Sequence, residues 1–143
     1  MALMAPPPSP DVLPADRPVA RRARRPWRVK FREAGRGVKL GVRGHSSFFV
    51  HFFCAALVIA AAVALQCDVL EWCVLIGCVG GVLTAELFNS AIETLFHGLD
   101  AATRQRLTGV LDIAAGAVLL ASVTAAVVGG LVLGGRLWQI VVR

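Results

Sequence analysis

The chain reads as an all-α membrane protein, with an N-terminal interfacial amphipathic helix followed by three transmembrane helices. Three observations predict it. Of its 143 residues, 57% are hydrophobic, and the mean hydropathy is positive, unlike a soluble domain. Three apolar stretches each reach the roughly 20 residues that a helix needs to cross a bilayer. Eleven of the fifteen Lys and Arg residues precede Ser46, so the net charge of +6 is gathered into a basic head.

Residues 1–26, MALMAPPPSPDVLPADRPVARRARRP, hold all seven prolines and end in a run of arginines. This composition predicts a disordered Pro/Arg-rich tail. The run at 21–25 suits anionic headgroups, at about 1 kcal/mol per charge near a membrane surface. No nucleic-acid partner is expected, because the run is short, lacks interleaved aromatics and directly precedes membrane spans.

Residues 27–45, WRVKFREAGRGVKLGVRGH, predict the interfacial helix. At about 100° per residue, Trp27, Phe31, Ala34, Val38 and Val42 fall on one side. Arg28, Arg32, Arg36, Lys39 and Arg43 fall on a separate arc, which suits an apolar face in the lipid and a cationic face at the headgroups. Gly35, Gly37 and Gly41 each weaken a helix by roughly 1 kcal/mol relative to Ala, so breaks are expected there.

The predicted spans are 46–65, 69–97 and 113–135, and residues 27–135 with the last few residues form one membrane domain, 27–143. The first span carries His51 as its one titratable polar group, which reads as a packed or water-contacting histidine rather than a ligand. The third span has no charge. Buried helices of a soluble protein are the competing reading, but those normally keep a polar stripe. A cleavable signal peptide is not expected, because the first apolar stretch begins far from Met1 and has no A-x-A-like exit.

Orientation follows the cations. The basic head and the 98–112 connection, with Arg104 and Arg106, are expected in the cytoplasm, with the chain in the cytoplasmic (inner) membrane. The cation-free turn at 66–68 and the C-terminus then lie outside. Trp72 and Trp138 fall near the expected outer boundary, where indoles anchor.

The four cysteines, at 54, 67, 73 and 78, contain no C-x-x-C pair and read as small apolar filler. Neither a G-x-x-x-x-G-K-[ST] loop nor a G-x-G-x-x-G turn after a strand is present. Gly80-Gly81 reads as a close helix-packing site.

The feature that apolar packing does not explain is AELFNSAIETLFHGLD, residues 85–100. Glu86, Asn89 and Glu93 are spaced i, i+3, i+7, so they stack on one helix face, and His97 continues the row. The two acids lie roughly 10 Å apart along the axis, too far to share a proton. Ionisable groups at this depth usually line a bundle interior or a water-filled cavity. Two acids, an amide and a following cationic loop suit phosphoryl transfer, with one carboxylate holding Mg²⁺ and the other accepting a hydroxyl proton. A packing network of hydrogen bonds and a proton or cation path are the alternatives.

The segment Glu86-Leu-Phe-Asn89-Ser90-Ala91-Ile92-Glu93 matches the pattern E-x-x-N-[ST]-A-[IL]-E, and LDIAAGAV, 111–118, matches K-D-x-x-[AS]-[AG]-A-V after its first residue. With these motifs the chain resembles the bacterial diacylglycerol kinase and undecaprenol kinase family of small three-span membrane kinases, over roughly residues 27–135. The resemblance implies a homotrimeric helical bundle that uses MgATP to phosphorylate a lipid alcohol, diacylglycerol or undecaprenol, at the membrane surface. It implies Glu86 as the catalytic base, Glu93 as a Mg²⁺ ligand, and Asn89, Glu93 and Asp112 as cofactor-binding residues. His45 stands where the family has a second metal-binding Glu, which makes it the other candidate metal ligand and admits Mn²⁺ beside Mg²⁺. Leu111 stands where the family has a Lys, and His97 where it has an Asp. Arg104 and Arg106 are the expected replacements for that lysine. A non-catalytic relative that binds lipid or nucleotide without transfer is the second reading.

Overall fold

The computed structural model describes residues 26–44 and 46–142. The Pro/Arg tail up to residue 25, His45 and Arg143 lie outside them. Among the described residues there are five helices and no strand. These are α1 (Trp27–Gly44), α2 (Ser47–Ala64), α3 (Val69–His97), α4 (Ala101–Arg106) and α5 (Gly109–Val141).

Helix α1 starts where Pro26 offers its carbonyl to the amides of Val29 and Lys30, at 3.0 and 3.4 Å. Its first turn is reinforced by Lys30, whose Nζ lies 4.8 Å above the Trp27 ring, and by the Trp27–Phe31 pair. The breaks expected at its glycines do not occur, since α1 is continuous through Gly35, Gly37 and Gly41. A glycine costs helix stability without forbidding the conformation, and one of the three has a packing use. A Cβ on Gly41 would lie 2.7 Å from Leu87 Cδ2, so the bare backbone lets α1 cross closely over α3.

Helices α2, α3 and α5 are apolar and long enough to cross a membrane. Their surfaces carry many large exposed hydrophobic residues, among them Phe49, Phe53, Leu70, Phe88, Leu119 and Leu131. A helix apolar all round needs lipid or protein against it, not water. Helix α5 extends beyond the expected 113–135 at both ends, because Leu111, Trp138 and Ile140 continue its apolar surface. The 98–112 connection contains the short helix α4, N-capped by Asp100, whose Oδ1 accepts from the Thr103 amide at 3.0 Å.

The α2–α3 turn is a tight reversal. Gln66 takes a left-handed conformation, φ 52°. Its amide donates to Val63 O, and the Cys67 amide to Ala62 O, the paired bonds of a Schellman ending. Asp68 then opens α3 through a reciprocal capping box with Glu71, with bonds of 3.0 and 2.7 Å.

Helix α3 is the centre of the bundle, with its most extensive packing against α5. Leu75 is buried against Gly129, where an added Cβ would lie 3.7 Å from Leu75 Cδ2. Helix α2 leans mainly on α3 and only lightly on α5. A cleft of about 400 Å³ therefore opens between α2, α3 and α5, lined by His51, Cys54, Val58, Leu83, Ser122 and Ala126 among others.

Candidate functional site

At about 1.5 Å per residue, the climb from Val69 to Glu86 covers roughly 26 Å, close to the full length of α2. Helix α2 therefore begins level with Glu86, and α3 runs on for three more turns without α2 beside it. With Val69 at one face of a hydrocarbon layer about 30 Å thick, Glu86 lies near the other.

Glu86 is 2% exposed. Both carboxylate oxygens meet α2. The Ser47 hydroxyl donates to Oε1, and His51 Nε2 lies 3.6 Å from Oε2. Ser47 and His51 are four residues apart, one above the other on a single helix face. A buried carboxylate without partners would be costly, and these two groups provide its polar surroundings. One turn on, Ser90 is 1% exposed and its hydroxyl has no hydrogen-bond partner among the described residues.

The rest of the row has a different setting. Asn89 is half-buried, while the Glu93 side chain is 37% exposed, with His97 Nε2 at 3.7 Å from its Oε1. The row and the α2–α3–α5 cleft are separate features of the bundle. The cleft is lined by His51 and Leu83 but by none of Glu86, Asn89 or Glu93. Past Glu86 the row has no α2 beside it, and Asn89 and Glu93 are more open than Glu86.

Asp112 sits in the first turn of α5, exposed, on a different element from the acids of α3. Arg104, in α4, has a buried Nε without a hydrogen-bond partner among the described residues. Leu111 is half-buried and Arg106 exposed. His45, the candidate second ligand, lies outside the described residues. Among the described residues no three His, Cys, Asp or Glu side chains cluster to hold a metal. Mg²⁺ nonetheless needs only one or two carboxylates when substrate phosphates complete its shell. The partly exposed Glu93 carboxylate has the hard oxygen donors for that role.

Sequence reading missed Ser47 altogether and gave His51 as a packed or water-contacting histidine. The available signal was their i, i+4 spacing at the start of an otherwise apolar span. His51 does pack, lining the cleft, but its ring nitrogen is aimed at an acid.

Three apolar helices of spanning length, with one buried acid on α3 held against the start of α2, define an integral membrane protein with an enclosed polar site. The prokaryotic diacylglycerol kinase family model matches residues 32–133, and the chain belongs to that family. It is 34% identical to a diacylglycerol kinase of Synechocystis over 137 residues, covering 90% of this chain and 78% of the relative. It is 30% identical to an undecaprenol kinase of Bacillus subtilis over 105 residues, 71% of this chain and 83% of that one. No solved structure matches the chain significantly.

Proposed function

We propose that this protein is an integral-membrane lipid kinase that transfers the γ-phosphate of ATP to the hydroxyl of a long-chain lipid alcohol. The acceptor class, diacylglycerol or undecaprenol, comes from the names of the two relatives. The observation that carries the reading is Glu86, buried, held by α2 and set at the membrane edge, where a lipid hydroxyl and a water-borne nucleotide can meet.

In this reading Glu86 accepts the proton of the lipid hydroxyl as that oxygen bonds to the γ-phosphorus. The bond from the γ-phosphorus to the bridging oxygen breaks, and ADP leaves. Glu93, with His45, is the candidate ligand set for Mg²⁺ or Mn²⁺, whose charge offsets that of the phosphates. Asn89 and Asp112 are the candidate nucleotide contacts. Arg104, whose Nε has no hydrogen-bond partner among the described residues, is suited to hold a phosphate where Leu111 has no charge. Helix α1 would lie in the interface, with the N-terminus in the cytoplasm, the C-terminus outside and three copies forming the working assembly.

A non-catalytic relative that keeps only binding is the second reading, favoured by Leu111 in the lysine position. The test is transfer of label from radiolabelled ATP in mixed micelles, with Mg²⁺ or Mn²⁺ and either lipid alcohol. Label in the lipid, lost in Glu86→Gln, supports the kinase. Nucleotide binding without transfer under either metal supports the second reading.

A further inference from the structure

The two α2 groups on Glu86 do different things to its two oxygens. A serine hydroxyl has one proton to donate, and here it goes to Oε1. His51 Nε2 stands 3.6 Å from Oε2, beyond ordinary hydrogen-bond length. Oε1 is thus engaged, while Oε2 keeps lone-pair capacity with an imidazole nitrogen 3.6 Å away. The two groups come from one rigid helix at one-turn spacing, so together they set the plane of the carboxylate and not only its place.

We infer that Ser47 and His51 are positioning residues that turn Glu86 so that Oε2 is the oxygen that takes the substrate proton. The inference rests on the kinase reading for its reaction. The lipid O–H bond breaks, its proton bonds to Oε2, and the freed electron pair forms the new O–P bond while the bridging P–O bond to ADP breaks. The transferred proton then rests on Oε2, and His51 beside that oxygen limits how far the carboxyl group can turn. Ser47 keeps Oε1 occupied throughout, so the proton has one destination. Neither residue touches ATP or the lipid in this account, and both act through Glu86.

Because preorganisation of a reacting group raises turnover more than binding, a kcat effect is expected with little change in KM. Ser47→Ala and His51→Ala should each lower kcat about 10- to 100-fold, with KM for ATP within about twofold. Ser47→Thr and His51→Gln, which restore a hydroxyl and a terminal amide in similar places, should recover most of the loss. The double change Ser47→Ala with His51→Ala should cost less than the product of the two single losses, since groups acting as one unit are non-additive. No loss of kcat in either alanine variant, loss without rescue, or fully multiplicative losses overturns the inference.

A second readout does not need catalysis. The infrared difference between wild type and Glu86→Gln in lipid nanodiscs isolates the Glu86 carboxyl band, and Ser47→Ala should shift it. An unmoved band overturns the placement of Ser47. If wild type transfers no label to any lipid alcohol, the kinase reading fails, and the band alone decides whether α2 holds Glu86.

Discussion

The Arg136 guanidinium reaches back 70 residues along the chain to donate from Nη2 to the Gln66 carbonyl at 2.6 Å. Its Nε donates to Leu65 O at 3.3 Å, and Glu71 Oε2 stands 3.8 Å away. The last carbonyls of a helix have no partner within it, and here α5 supplies one to the end of α2. Arg136→Ala should therefore destabilise the protein by about 1–2 kcal/mol, since hydrogen bonds to charged groups are worth about that after solvent screening. Denaturant unfolding in detergent measures it. Arg136→Lys should recover only part, because an ammonium lacks the forked donors.

Gln66 offers a change of the opposite sign. A non-glycine residue in the left-handed region is strained by roughly 1–2 kcal/mol. Gln66→Gly removes that strain but loosens the unfolded chain, so a net gain of up to about 1 kcal/mol is expected in the same unfolding assay.

Asp100 gives α4 a pH dependence. The Thr103 hydroxyl, at 2.6 Å, and the Thr103 amide hold its carboxyl below the usual aspartate value. A depressed folded-state value means that the cap's contribution is fully present above the unfolded value, 3.8. It is lost as pH falls through the lower folded value. Amide exchange at Thr103 should accelerate across that window, and Asp100→Ala should show fast exchange at every pH.

The Cys67 thiol sits at the α2–α3 turn, where burial first and the Glu71 carboxylate second raise its pKa. Since the thiolate is the nucleophile, iodoacetamide should modify Cys67 more slowly at pH 8 than it modifies a free cysteine. Glu71→Gln should speed the reaction, and mass spectrometry of the peptide containing Cys67 reads both rates.

On the proposed reaction, Arg104→Ala with Arg106→Ala should abolish ATP turnover while the protein still extracts and unfolds as wild type. Unchanged turnover in the double variant would remove these arginines from the phosphate site.

Much of this architecture was legible from residue patterns alone. The stretch 69–97 reads as one span and is one helix, because its apolar surface is continuous and Asp68 and Glu71 mark its start with a capping pair. The breaks expected in α1 do not occur, because a glycine's helix cost is a bias that the rest of the segment outweighs. Gly41 faces Leu87, 46 positions away, and no local pattern announces that crossing. The site divides the same way. The Glu86, Asn89, Glu93 row follows from helical spacing, but spacing treats its members alike.

Hydropathy and the polar row were enough to settle three membrane-length helices and a line of acids on the second of them, because helical period and bilayer thickness are local constraints. That Glu86 is enclosed while Glu93 stands half-open depends on where α2 begins against α3, a contact across 39 residues. Only packing sets that level, and it turned Ser47 and His51, a serine and a histidine in an apolar span, into the groups that hold the acid.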